Sequence, residues 1–246
     1  MYYNMKKRQV LCTSALILLA LSCDRSLPEG YVDFIMEQND EVRDMTKSKV
    51  SEYASLPSAS DFNLQLKDSN SGLIWSGQAS DWNPSMPLVS GSYTVTATYG
   101  SNTEEGFEKP SFSGSRQFSI AEAGSQRVTI PVSLTNCLVR VSCSDNFENY
   151  FTDYSFTITT GAGNVLNFPK GENRAAFLDA YKFTVSGEMT NQNGVKSQFT
   201  KEYANLEEAC CYTLSFDVNS VGGTSITISF DDTTETVDLG TIDLNK

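Results

Sequence analysis

Apolar and polar residues take turns along most of this chain. Val128, Ile130, Val132 and Leu134 alternate with Arg127, Thr129, Pro131 and Ser133. Tyr93, Val95, Ala97 and Tyr99 alternate with small polar residues, and Phe62, Leu64 and Leu66 with Asn63 and Gln65. The same rhythm returns at Phe156 and Ile158, at Phe183 and Val185, from Tyr212 to Val218, and from Ile226 to Phe230. A period of two in β-branched and aromatic residues marks strands buried on one face. Turn clusters separate the runs: DSNSG at 68–72, VSG at 89–91, GAG at 161–163, NQNG at 191–194 and VGG at 221–223. No long stretch has the period of an amphipathic helix. The pattern predicts an all-β chain of sandwich type.

The pattern also repeats. DFNLQLKDSNSGLIW, from Asp61, lies over DYSFTITTGAGNVLNF, from Asp153. PLVSGSYTVTA, from Pro87, lies over AFLDAYKFTVS, from Ala176, and QRVTIPVSL, from Gln126, over CCYTLSFDV, from Cys210. Three matches in one order predict two tandem β-sandwiches, residues 30–135 and 136–246. One segment breaks the rhythm. GYVDFIM, Gly30 to Met36, reads as a strand, and a long polar stretch separates it from Phe62. That stretch reads as a solvated loop or a short irregular helix, or else as a tether that leaves the first strand loosely tied and open to exchange.

The N-terminus follows a different logic. Lys6, Lys7 and Arg8 precede an apolar run from Val10 to Leu21. Twelve helical residues span about 18 Å, short of the roughly 30 Å of a bilayer core. Residues 1–22 therefore read as a signal peptide, with 23–29 as a linker. Ala20-Leu21-Ser22 suits a plain export site; Leu19 to Cys23 resembles a bacterial lipobox, in which Cys23 is acylated. Lipidation at Cys23 is the preferred reading. It implies palmitate-type chains, membrane attachment and an outer-membrane or surface location.

Composition narrows the chemistry. All 30 acidic residues follow Ser22 and three of the 18 basic ones precede it, leaving 15 basic against 30 acidic, net −15. That balance disfavours nucleic acid and anionic lipid surfaces as partners. The chain has no histidine. Ser-His-Asp and Cys-His nucleophile systems are thereby excluded, as are His-ligated zinc and iron sites. No catalytic group, cofactor or metal site is expected. The acids Asp231, Asp232, Glu235 and Asp238 have no calcium-loop spacing.

After Cys23 come Cys137, Cys143, Cys210 and Cys211, none in a CxxC pair. Cys137 and Cys143 share a strand face about 20 Å apart. A disulfide from Cys137 or Cys143 to Cys210 is conceivable in an oxidising envelope, against buried thiols acting as small apolar residues. Trp82, in a turn of GLIWSGQASDWNP, is the candidate exposed aromatic for stacking on sugar rings, whereas Trp75 reads as core. Phe107 and Phe112 of GFEKPSFSG are candidates for a recognition tip, against packing on their own domain.

GYVDFIM with the later TKSKV, PLVSGSYTVTATYG, GFEKPSFSGSRQFSI and VSLTNCLVRVSC together resemble a family of envelope lipoproteins of Gram-negative gut anaerobes. That family is known only as a domain of unknown function. The plan of a lipobox followed by two sandwiches is similar to fimbrillin-like pilus proteins, with their transthyretin-like domains. The resemblance implies a surface lipoprotein without recorded activity. In fimbrillins, subunits join by donating a strand to a neighbour's sandwich. Gly30 to Met36 and Val237 to Leu244 are the strands that would suit such a role here. The expected partners are thus other β-sandwich subunits, with glycans as the alternative.

Overall fold

Among the described residues, seventeen strands and little helix carry the alternation into three dimensions. The computed structural model describes residues 27–43, 48–121, 123–218, 225–230 and 233–238, the last by backbone alone. The expected signal peptide at 1–22, Cys23, Asp231, Asp232 and the run beyond Asp238 lie outside the described residues, as do the side chains of Glu235 and Asp238.

The first half contains β1 (Glu29–Asn39), β2 (Asn63–Asp68), β3 (Leu73–Gln78), β4 (Leu88–Val89), β5 (Gly91–Tyr99), β6 (Gly106–Phe107), β7 (Phe112–Ile120) and β8 (Ser125–Leu134). All but β6 form one sheet in the order β3-β2-β5-β7-β8-β1-β4. β7 pairs along its whole length with β5 but meets β8 only at Phe112 and Ser113. The next residue explains the short junction. A Cβ on Gly114 would sit 1.8 Å from the Pro131 carbonyl oxygen, so only glycine lets β7 cross β8 this closely. The sheet folds over at that corner, and its two layers close on one core. Phe62, Leu66, Val95, Ala97, Phe112 and Ile130 in that core are wholly buried.

The second half repeats the plan. It contains β9 (Asn136–Cys143), α1 (Asp145–Tyr150), β10 (Phe151–Thr160), β11 (Val165–Pro169), β12 (Ala176–Asp179), β13 (Lys182–Asn191), β14 (Lys196–Ala204), β15 (Cys211–Val218), β16 (Ser225–Phe230) and β17 (Thr233–Asp238). One layer runs β11-β10-β13-β14; the other runs β17-β16-β15-β9-β12-β6. β9 lies parallel to β15 and antiparallel to β12, as β1 lies parallel to β8 and antiparallel to β4. The correspondences β2/β10, β3/β11, β5/β13 and β8/β15 are those the sequence repeat predicts. The chain is two tandem β-sandwiches.

The halves share a layer. On β9, Cys137, Val139 and Val141 face the second core, while Leu138 between them faces the first. On β12, Ala176 and Leu178 face the second core and Phe177 the first. Strands buried on both faces read as unbroken apolar runs, as in CLV and AFL. Polar contacts close the rest of the joint. Glu105 accepts the Asp179 N–H (3.0 Å), an Asn164 side-chain N–H (2.6 Å) and the Thr160 hydroxyl. Thr135 donates its hydroxyl to Asn102 (2.7 Å), and buried Asn136 accepts the Ser111 N–H.

Along the described part of the connection from Asn39 to Phe62, the solvated-loop alternative fails and the short irregular helix is found as two separate turns. Val42, Val50 and Ala54 are buried in the first core, and two 3-10 turns occupy Val50–Glu52 and Ala59–Asp61. Arg43 pairs with the second half: its N–H reaches the Ala209 carbonyl (2.7 Å) and its carbonyl accepts the Cys211 N–H (3.0 Å). Three apolar side chains spaced through polar sequence suffice to pin a segment that shows no period.

Candidate functional site

The first strand is the place to look, because its two sides are treated differently. In a strand, each residue's N–H and C=O point to the same side, and the side changes with every residue. β1 pairs with β8 over nine successive positions, Tyr31↔Ser125 to Asn39↔Ser133, with the Tyr31 N–H on the Gly124 carbonyl (2.7 Å). The odd residues therefore serve β8. The even ones present their backbone to the opposite side, where β4 pairs only with Glu29 and Gly30. Past Gly30, no described strand runs along that edge. In the second half, β12 covers its counterpart β9 over four positions, Asn136 to Val139.

A side chain takes over where β4 stops. The indole N–H of Trp82 donates to the Val32 carbonyl at 2.9 Å. Trp82 follows a 3-10 turn (Ala79–Asp81) anchored by the Ala79 N–H on the Phe62 carbonyl (2.8 Å). Its ring lies 4.9 Å from Phe34 and 5.1 Å from Trp75. The sequence expectation of an exposed Trp82 is thus corrected: the residue is 8% exposed and belongs to the first core. A tilted contact with Phe34 and an edge-on contact with Trp75 explain why a turn tryptophan is drawn inward.

Trp82 nonetheless lines a cavity of about 330 Å³ beside the open edge. Asp33, Phe34 and Met36 of β1 form one wall; Ser60, Ser80 and Trp82 contribute to the other. The volume is at the lower end for small-ligand pockets. It offers aromatic and thioether surface, two hydroxyls and one carboxylate, with the backbone of Phe34 and Met36 along one side. Such a groove accepts an extended peptide by backbone pairing, with a side chain in the cavity. Its rings and hydroxyls also suit a sugar ring.

The other predicted binding residues lie elsewhere. Phe112 is completely buried in the first core, 6.5 Å from Phe62, so the reading of a recognition tip fails there. Phe107 packs on Phe168 (5.2 Å) beneath the Arg174 guanidinium (4.4 Å), within the joint between the halves. The GFEKPSFSG loop is a clasp because β6 adds its two residues to the edge of β12. Cys137, Cys143, Cys210 and Cys211 are thiols in this structure. Burial pushes the Cys137 thiol up to about 12 and the Cys143 thiol to about 11. Sequence reasoning missed Phe34, Met36, Ser60 and Ser80, which only the fold brings together. Val237 pairs with Ile226, inside the β16–β17 ladder.

Among the described residues, no helix is long and apolar enough to cross a membrane. Nothing matches among curated proteins. A candidate cell adhesion protein from Bacteroides ovatus ATCC 8483 is 12% identical, covering 88% of this chain and all of its own, at a TM-score of 0.46. One from Bacteroides eggerthii is 10% identical, covering 87% of this chain and 97% of its own, at 0.45. The fimbrial anchor protein Mfa2 from Porphyromonas gingivalis is 11% identical, covering 84% and 98%, at 0.37. The model of the family described as Domain of unknown function (DUF4493) matches residues 28–244.

Proposed function

The chain belongs to that family, and we propose that it is a non-enzymatic cell-envelope lipoprotein with a structural and adhesive role. Within that role it is an accessory or anchor component of a fimbrillin-like surface fibre, coupled to neighbouring sandwich subunits by strand addition. One observation carries the reading. β1 offers an edge that β4 covers for two residues only, beside a cavity that can seat a side chain of an added strand. Unpaired edges are normally blocked, because they recruit other strands. The chain has no histidine, which removes histidine-based nucleophile systems from the competing readings. The lipobox-like sequence at Cys23 supports a membrane tether, which labelled palmitate tests in the host: label is expected on the wild type and not on Cys23→Ser.

Met36→Pro tests the edge. Met36 presents its N–H to the open side, so proline there leaves the β8 ladder intact and removes a donor from the edge. Native gels of envelope extracts should show the wild type in a larger assembly and Met36→Pro outside it, with unchanged circular dichroism. Equal assembly of the two forms would overturn the reading.

The cavity favours a second reading, capture of a glycan between Trp82, Phe34 and the two serines. Ser80→Tyr fills the cavity from its wall. Selective glycan-array binding lost in that variant, with assembly of the wild type absent, would support this reading over the first.

A further inference from the structure

The register of two parallel strands brings two thiols together. Cys211 pairs with Leu138, which places Cys210 beside Cys137. Backbone bonds bracket the two residues: the Leu138 N–H donates to the Cys210 carbonyl and the Ala209 N–H to the Asn136 carbonyl, both at 2.8 Å. Neighbouring strands lie about 4.8 Å apart, within the usual Cα separation of a disulfide. Both cysteines pack on the second core, alongside Tyr212. The alternatives are excluded by position. Cys211 packs on the first core, on the opposite face. Cys143 is six residues along β9 from Cys137, about 20 Å away. We propose that Cys137 and Cys210 are a redox pair that closes to a disulfide between β9 and β15 when the protein meets an oxidising compartment.

The oxidant is a disulfide, either oxidised glutathione or the oxidised dithiol of an oxidase. Cys210 is the more accessible of the two and reacts first. Its thiolate attacks one oxidant sulfur, that S–S bond breaks, and one oxidant thiolate departs. Cys137 then loses its proton to solvent and its sulfur attacks Cys210 Sγ, expelling the second oxidant thiolate. Two protein thiols are oxidised by two electrons, and one oxidant disulfide is reduced to two thiols. The wholly buried Cys137, its thiol pushed up to about 12, makes the second step the slow one. The closed bond ties the two ends of the segment between β9 and β15, which holds most of the second sandwich.

The test uses the purified full chain, whatever compartment the protein occupies. Incubation with oxidised glutathione, then alkylation in denaturant, should label two fewer cysteines than in the reduced chain. A non-reducing tryptic digest should join the peptide ending at Arg140 to the one beginning at Glu202. That second peptide holds both Cys210 and Cys211, so variants decide between them: Cys211→Ser should keep the cross-link and Cys210→Ser lose it. Reduction of the closed form should lower its Tm by about 10 °C, the scale for a loop of some 70 residues. Full labelling after oxidation, linkage through Cys143, or a cross-link surviving Cys210→Ser would overturn the proposal.

Discussion

Two residues show how single positions hold this fold. Trp82 fills the corner beside β1 and closes the Val32 carbonyl at once. Trp82→Phe keeps a ring but loses the indole N–H and some volume. A loss of about 2 kcal/mol is expected in urea unfolding, from the unmade hydrogen bond and the small void. An unchanged midpoint would mean that the bond contributes nothing. Gly114 works by absence. A methyl there meets the Pro131 carbonyl oxygen at 1.8 Å, and backbone cannot swing aside as a side chain can. Gly114→Ala should cost about 3 kcal/mol or more and disturb the β7–β8 corner, read as lost amide protection at Phe112 and Ser113. Gly91, where an added Cβ would find its nearest neighbour at 3.9 Å, is the control.

At the scale of elements, the connection after β1 separates backbone from side-chain contributions. Arg43 forms an ion pair with Glu207 at 2.8 Å, but both side chains are nearly two-thirds exposed. Exposed pairs contribute about 0–1 kcal/mol, so Arg43→Ala should shift the Tm by no more than a few degrees. Arg43→Pro should cost more, because it removes the N–H that reaches the Ala209 carbonyl. Equal effects of the two changes would show that the backbone bond to Ala209 contributes nothing.

What could be read from sequence divides along the same line. Long strands were legible because one buried face imposes period two, as in Val128 to Leu134. The repeat was legible because both sandwiches impose that period in the same order. The pinned connection was not, since Val42, Val50 and Ala54 share no period. β4 and β6 were hidden because two residues cannot display a pattern. The cavity was hidden because Phe34, Ser60 and Ser80 meet only through the fold. Trp82 was placed on the surface because its turn sequence is polar; ring packing on Phe34 and Trp75 decided otherwise.

At the scale of the whole molecule, the shared layer joins both cores and titration acts on the sum. The chain has no histidine, so little should change between pH 6 and 8. The alkaline side differs. Burial pushes the Cys143 thiol up to about 11, and the Cys137 thiol and Tyr212 phenol to about 12; burial also raises Tyr154. The unfolded chain releases these protons from about pH 9, whereas the folded chain retains them, so the folded state binds more protons there. The stability they contribute is fully present below pH 9 and is lost as pH rises towards 12. In the reduced chain, Tm should be level from pH 6 to 8 and fall steadily above 9. A Tm level through pH 11 would contradict this.

The open edge of β1 as the contact with neighbouring subunits is tested most directly by a photo-reactive amino acid at position 80, in the cavity wall, in the native host. The account predicts an adduct whose mass maps to an extended terminal segment of another envelope sandwich subunit, lost when Met36→Pro is added. An adduct with glycan alone, or none under conditions that cross-link a surface control position, would contradict it.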